Sequence, residues 1–213
     1  RLTDVTGVQT CALPIYCGSG NTCKNSIEYA CRMVKEIAEI GSRQNIIIKW
    51  QLFKRAGHNA PLSLEVFERA YRYAAAMGLR TTASVFDKDS LDFLLTYDVP
   101  FIKLANTDAS RMLAADIPED RAVIISTDKP TLQAGSNFKI MYCISEYPAK
   151  AKDYIDKFGD KLSVGLSDHT TDFELFKKYQ PKIYECHVKL DDSTGPDAGQ
   201  FARTPEHLKE ILL

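Results

Sequence analysis

Short apolar runs alternate along this chain with longer segments in which apolar residues recur every three or four positions. Apolar residues at helical spacing run from Ile27 to Ile40 and predict an amphipathic helix that Gly41 ends. By contrast, 45–53 is a nearly continuous apolar run bounded by turn residues, typical of a strand buried in a parallel sheet. The same alternation predicts further strands at 80–86, 99–106, 121–127, 138–144, 162–166 and 182–190, and helices at 63–77, 88–96, 108–116, 150–158, 172–179 and from 204 onward.

Regular alternation of strands and helices predicts a parallel α/β fold. Seven such units, preceded by one missing or substituted N-terminal strand, indicate a (β/α)8 TIM barrel. Residues 128–137 are too few and too rich in turn formers for a full crossover helix, so we expect the fifth helix of the barrel to be degenerate. The alternative is an open, doubly wound sheet, but no glycine-rich phosphate loop opens any predicted helix.

The first residues need a separate interpretation. Val5–Ile15 resembles the read-through translation of a common sequencing-library adapter. We therefore expect residues 1–16 to be a non-native leader, and residues 17–213 to be one truncated barrel domain without an internal linker. The alternative is a genuine first strand, because residues 8–15 have some strand propensity.

Composition narrows the possible partners. The 213 residues carry a formal net charge of -1, which favours neither a nucleic-acid nor a membrane partner. No apolar run approaches the roughly 20 residues that span a bilayer. The six cysteines form no CxxC pair, which indicates reduced thiols and a cytoplasmic location.

Polar side chains fall where the predicted strands end. Lys49 and Lys103 interrupt apolar strands, and each is either a lysine whose head reaches solvent or a cation aimed into an anion-binding pocket. A barrel would gather all these strand ends around one pocket, whereas an open sheet would spread them along an edge. Other polar residues at such positions are Ser84, Asn106, Ser126, Ser145, Ser167, His169, Glu185 and His187.

Two of these residues, His169 and His187, suggest a metal site. Each follows a short apolar run, so neighbouring parallel strands would bring both imidazoles to the same end of the sheet. Two ligands are fewer than a structural metal site needs, and either histidine could be an ordinary strand-end residue. Glu185 lies two positions before His187 and points to the same face of its strand, where it could transfer protons or orient the metal shell.

The order of these motifs resembles that of sialic acid synthases, the N-acetylneuraminate synthase family with its legionaminic, pseudaminic and spore-coat relatives. The resemblance runs from about Gly18 to Leu213. Its elements are Lys49-Trp50-Gln51, Ser84–Asp87, Lys103-Leu104-Ala105, Ile125-Ser126-Thr127, Ser145-Glu146-Tyr147-Pro148, Gly165–Thr170, Glu185-Cys186-His187 and Gly195-Pro196-Asp197.

The resemblance implies an activity and its cofactor. Family members condense phosphoenolpyruvate with an N-acylated hexosamine, such as N-acetylmannosamine, to give a nonulosonic (sialic) acid and phosphate. A divalent metal, Mn2+ or Mg2+, is held by histidines that match His169 and His187 and polarises the sugar aldehyde. Catalytic positions are matched by Lys49, Lys103 and Glu185, and substrate-binding positions by Asn21, Ser84, Asn106, Ser126, Ser145, Tyr147, Ser167 and Asp197.

Several positions depart from the family pattern. Tyr16 stands about where relatives carry an acidic residue, and Thr22 replaces a histidine that usually follows Asn21. Cys186 replaces a lysine, and Asn106 stands where a serine is common but is still a hydrogen-bond donor. No segment matches the C-terminal antifreeze-like domain of bacterial synthases, so we expect a fragment, which need not be active, of a parent enzyme that could be a homodimer.

Two other functions stay open at this level. One is another metal-dependent, aldolase-type TIM barrel, because barrels host many chemistries. The other is a non-catalytic barrel that binds a sugar or a phosphate. The altered first loop favours this second reading, whereas the pair of histidines with Glu185 speaks against it.

Overall fold

The computed structural model describes residues 13–40, 45–54, 59–132, 134–136 and 138–212. These residues form parallel strands that pair in chain order, and β1 pairs with both β2 and β8, so the strand order closes. The strands are β1 (Leu13–Gly18), β2 (Ile46–Leu52), β3 (Arg80–Val85), β4 (Ile102–Leu104), β5 (Val123–Thr127), β6 (Phe138–Cys143), β7 (Leu166–Asp168) and β8 (Tyr184–His187). The helices are α1 (Ile27–Ala38), α2 (Leu64–Ala76), α3 (Lys88–Leu95), α4 (Asp108–Met112), α5 (Ala151–Phe158), α6 (Glu174–Tyr179) and α7 (Pro205–Leu212).

This architecture confirms the predicted parallel α/β alternation. The strand order never reverses, which excludes the open, doubly wound sheet. Between β5 and β6 the described residues form turns rather than a helix, as the short 128–137 segment predicted. The pairing of β1 does not test whether residues 1–16 are a native segment, because backbone hydrogen bonds alone can complete a strand ladder. The leader therefore stays a prediction.

The strand predicted at 162–166 was placed too early. Gly159–Ser163 instead forms a 3-10 turn that continues α5, and the strand begins at Leu166. Leu162 is fully buried because the turn packs it into the core, so its apolar character did not mark a strand. Ser167 and Asp168 consequently lie within β7, and His169 is the first residue after it.

Two separate apolar sets support the sheet. The larger set packs the outer face of the strands against the helices, as in α1, whose buried face includes Met33, Val34 and Ile37. The smaller set consists of Ile47, Phe101, Ile124, Met141 and Ile183 from five parts of the chain. None of the described helices is long and apolar enough to cross a membrane.

The smaller apolar set explains where the polar layer lies. Residues two positions apart on a strand point to the same face. The positions two residues after Ile47, Phe101, Ile124, Met141 and Ile183 are Lys49, Lys103, Ser126, Cys143 and Glu185. An apolar floor therefore lies one layer below a set of buried polar groups, toward the amino ends of the strands.

Candidate active site

A cavity of about 420 Å³ lies at the carboxyl ends of the strands. It brings together all but one of the site residues predicted from the sequence. Those that line it are Lys49, Ser84, Lys103, Asn106, Ser126, Ser145, Tyr147, Ser167, His169, Glu185, His187 and Asp197. The position of these residues is thus consistent with the predicted site, and their chemical roles stay predictions.

Asn21 is the predicted site residue that does not line this cavity. Its Oδ1 atom accepts a hydrogen bond from the backbone N–H of Ala60 at 2.9 Å. A Cβ at Gly195, whose φ is +89°, would lie 2.5 Å from the Cβ of Asn21. Asn21 therefore ties loops together and lies against the turn that carries Asp197, and its role as a substrate contact stays a prediction.

The floor of the cavity holds a buried cluster of charges. The Nζ atom of Lys49 lies 3.1 Å from Oε2 of Glu185 and donates a hydrogen bond to Ser84 Oγ at 3.0 Å. The Nζ atom of Lys103 donates to Ser126 Oγ at 2.6 Å. Lys49 is only 3% exposed and Lys103 1%, so the alternative of lysine heads that reach solvent is wrong.

Burial and the neighbouring charges shift the pKa values of Glu185 and Lys103 in this cluster. Burial raises the pKa of Glu185, but the charges of Lys103 and Lys49 outweigh burial and hold that pKa below its usual value. Burial lowers the pKa of Lys103 to about 8, partly opposed by Glu185. Two positive charges face one negative charge, and the excess positive charge in this shielded space favours a bound anion.

A pair of imidazoles forms the opposite side of the cavity. The ring centroids of His169 and His187 lie 5.3 Å apart, with the rings nearly perpendicular. Burial lowers the pKa of His169 to about 4. Burial, the neighbouring His169 and the charges of Lys49 and Arg203 hold the pKa of His187 well below its usual value. Both rings are therefore neutral near pH 7, which is the form that binds metals.

The hydrogen bonds of His169 fix its tautomer. Its Nδ1 atom lies 2.6 Å from the carbonyl oxygen of Ile144, which can only accept, so Nδ1 carries the hydrogen. The Nε2 atom lies 3.4 Å from Ser167 Oγ, but Ser167 donates its own hydrogen to Glu185 at 3.0 Å. The Nε2 lone pair is consequently available toward the cavity, and the carbonyl partner is typical of metal-ligating histidines.

The described residues contain no group of three or more His, Cys, Asp or Glu side chains arranged to hold a metal ion. The two neutral imidazoles nevertheless suit a divalent ion whose other positions are filled by substrate and water oxygens. Asp197 adds a carboxylate whose Oδ1 atom lies 3.7 Å from Nδ1 of His187. This donor set fits the predicted cofactor as an open site rather than as a closed structural one.

A buried arginine organises the two loops that carry the imidazoles. Arg203 is 2% exposed and donates through Nη1 to the carbonyl oxygens of Thr170 at 2.6 Å and Phe201 at 2.5 Å. Its Nη2 atom lies 3.7 Å from Oδ2 of Asp168, which also accepts a hydrogen bond from Tyr184 at 2.9 Å. These contacts join the loops after β7 and β8 beneath the histidines.

Sequence reasoning missed part of the cavity wall. Phe201 packs against His187, with ring centroids 4.8 Å apart, and against Tyr147 at 5.1 Å. The single aromatic residue in the polar loop after β8 was an available signal. Gln51 could have been found from its spacing, because it lies two positions after Lys49 on β2. The other missed lining residues are Asn59, Phe86, Ala105, Thr107, Cys143 and Pro196.

These observations define an α/β protein whose cavity combines buried cations with a pair of neutral imidazoles. The model of the NeuB family matches residues 44–213, and the chain belongs to this family. It is 26% identical over 154 residues to N-acetylneuraminate-9-phosphate synthase of Drosophila melanogaster, covering 61% of this chain and 41% of the relative. It is 28% identical over 170 residues to N,N'-diacetyllegionaminic acid synthase of Legionella pneumophila, covering 65% of this chain and 47% of the relative.

The solved structures agree on the fold. The N-acetylneuraminic acid (sialic acid) synthetase from Leptospira borgpetersenii superposes with a TM-score of 0.74 at 21% identity, covering 95% of this chain and 81% of that chain. Identity this low supports the fold alone. The resemblance to sialic acid synthases predicted from the motifs is confirmed at the level of the family. The chain spans about half the length of the curated relatives it matches.

Proposed function

We propose that the parent of this chain is a (β/α)8 barrel enzyme that condenses phosphoenolpyruvate with an N-acylated hexosamine, such as N-acetylmannosamine. The products are a nonulosonic acid and inorganic phosphate. The observation that carries the proposal is the adjacency, in one cavity, of the excess positive charge of Lys49 and Lys103 and the imidazoles of His169 and His187. The activities named for the relatives support the same class of reaction.

Phosphoenolpyruvate suits the cationic floor because it carries both a phosphate and a carboxylate. Lys49 and Lys103 supply positive charge, and the hydroxyl groups of Ser84 and Ser126 hold the two ammonium groups in place. The sugar would then lie toward Tyr147 and Asp197, beside the imidazoles. This arrangement puts the anionic reactant deep in the cavity and the neutral reactant nearer to its mouth.

In the proposed reaction, C3 of phosphoenolpyruvate forms a bond to the aldehyde carbon of the open-chain sugar. Water adds at C2, and phosphate leaves by cleavage of the C–O bond. A divalent ion, Mn2+ or Mg2+, held by His169 and His187 would supply Lewis-acid polarisation of the aldehyde oxygen. The attacking water gives up both of its protons, one to the former aldehyde oxygen and one to the departing phosphate, so the protons balance.

The chain offers two groups for these proton transfers. Lys103 has a pKa of about 8 and can therefore give up and take back a proton near neutral pH. Glu185 is held ionised by the two lysines, which suits it to orienting the attacking water or a sugar hydroxyl group. We assign proton transfer to Lys103 and orientation to Glu185.

The direct test is phosphate release from phosphoenolpyruvate by the full chain. We expect release only when Mn2+, phosphoenolpyruvate and N-acetylmannosamine are present together, with each omission as a control. Inert phosphoenolpyruvate combined with aldol cleavage of a nonulosonic acid would instead favour an aldolase-type barrel and contradict the proposal.

A second candidate is a barrel that binds the same ligands without turnover. The observation that favours it is the altered first loop, in which Thr22 stands where relatives carry a histidine after the retained Asn21. Tight binding of phosphoenolpyruvate by calorimetry, without phosphate release under any of the conditions above, would identify this function.

A further inference from the structure

Arg111 holds the side-chain amide of Asn106 in one orientation. The Nη1 atom of Arg111 lies 2.7 Å from Oδ1 of Asn106, and its Nη2 atom lies 2.6 Å from Oδ1 of Asp108. A guanidinium group only donates hydrogen bonds, so the atom of Asn106 that faces it must be the carbonyl oxygen. The side chain of Arg111 is 29% exposed, which leaves this contact partly shielded from water.

The other end of the same amide is fixed by acceptors. The Nδ2 atom of Asn106 lies 3.2 Å from Oγ of Ser145. Burial raises the pKa of Asp128, but the interactions with Lys157 and with the side chain of Asn106 outweigh burial and lower it. A carboxylate only accepts hydrogen bonds, so this effect is consistent with the NH2 group of Asn106 lying on this side. The donor Arg111 at one end of the Asn106 amide and the acceptors at its other end thus favour the same orientation of the amide.

This orientation determines what Ser145 can do. Because its oxygen accepts a hydrogen bond from Asn106, the hydroxyl hydrogen of Ser145 is left to donate elsewhere. Ser145 is exposed and lines the same cavity as Lys103 and Ser126. Its hydroxyl group can therefore donate to an anion bound in the cavity.

We propose that Arg111 is a positioning residue that, through Asn106, fixes Ser145 as a hydrogen-bond donor to phosphoenolpyruvate. This inference rests on the proposed function and adds a residue that none of the sequence motifs included. It also explains the departure at position 106. A serine hydroxyl group can rotate to donate or to accept, whereas an amide exchanges its two ends only by flipping, so Asn106 needs an anchor.

The test measures the dissociation constant of phosphoenolpyruvate by calorimetry with the full chain and its variants. Arg111→Met should weaken binding about fivefold, because one hydrogen bond of about 1 kcal/mol is no longer enforced. Arg111→Lys should stay within about twofold of wild type, since lysine also only donates. Arg72→Met is the matched control, because it removes an exposed arginine–carboxylate pair on α2, outside the cavity.

A double-mutant cycle separates positioning from general electrostatics. In an Asn106→Ser background, Arg111→Met should change the dissociation constant by less than about 1.5-fold, because the rotating hydroxyl group needs no anchor. Equal losses in both backgrounds, or wild-type affinity in Arg111→Met, would overturn the role of Arg111 and leave the proposed function standing. A wild-type chain that binds no phosphoenolpyruvate would overturn both. If Arg111→Met fails to fold by circular dichroism, Arg111→Gln replaces it, and unchanged affinity there overturns the inference.

Discussion

The two halves of the cavity are buried to a similar degree, but one half holds charged side chains and the other holds neutral ones. Within β2 and β4, Lys49 and Lys103 face the carboxylate of Glu185. At the ends of β7 and β8, His169 and His187 face each other and aromatic rings, and their pKa values fall so far that both are neutral. All five residues are at most 6% exposed. The difference shows that the partner groups, and not burial alone, decide which side chains stay charged.

This contrast divides the chemistry between the halves. The charged half is suited to an anion, and the neutral half is suited to a metal or to a sugar that carries no charge. Arg203 does not line the cavity, although it lies close enough to influence the pKa of His187. If the division is correct, changes in one half should affect one ligand and spare the other.

The largest effect is expected from Lys103→Met. The change removes one of two buried cations and leaves the cavity without its excess positive charge, so phosphate release should fall about 1,000-fold. Binding of Mn2+ should change less than about twofold, because the imidazoles are untouched. Kinetic assays and manganese titration followed by electron paramagnetic resonance would measure both. Loss of manganese binding with normal affinity for phosphoenolpyruvate would reverse the assignment of the halves.

A smaller effect is expected from His187→Ala, which acts on the other half. Manganese binding should weaken at least about 100-fold, as for loss of a direct metal ligand, with a matching fall in turnover. Phosphoenolpyruvate binding by calorimetry should stay within about threefold of wild type. His207→Ala on α7 is the control, because that histidine does not line the cavity. An unchanged manganese affinity in His187→Ala would exclude this residue as a ligand.

The smallest effect concerns pH. Lys103 has a folded-state pKa of about 8, so it loses its charge as pH rises, and the affinity for phosphoenolpyruvate should fall about tenfold from pH 7 to pH 9. In the unfolded chain the same lysine has a pKa near 10.4. Between these two pKa values the unfolded chain therefore binds more protons than the folded chain, so the free energy of unfolding of the ligand-free protein rises with pH. The difference in the free energy of unfolding between wild type and Lys103→Met, measured with urea at each pH, should therefore increase with pH, whereas the affinity for phosphoenolpyruvate should decrease. Parallel trends would contradict the assigned pKa.

Much of the fold and of the site followed from the sequence because strand periodicity is strict. Lys49, Lys103 and Glu185 each follow an apolar residue by two positions. Residues at this spacing point to the same face of a strand, so the apolar layer and the polar layer inside the sheet can be predicted together. The start of β7 could not, because Leu162 is apolar for packing a 3-10 turn and not for forming a strand. Arg203 was missed because its role depends on contacts between loops, which spacing along the chain does not encode. Arg111 was missed because it lies on α4, outside every strand end and motif, although its contact with Asn106 is local.

The most direct test of the central claim is a crystal structure of the chain with Mn2+ and phosphoenolpyruvate, using anomalous scattering to locate the metal. The claim predicts a manganese peak within coordination distance of His169 Nε2 and of a ring nitrogen of His187. It also predicts that the phosphate or the carboxylate of the ligand contacts Lys49 and Lys103. A metal bound away from both imidazoles, or a ligand that contacts neither Lys49 nor Lys103, would contradict it.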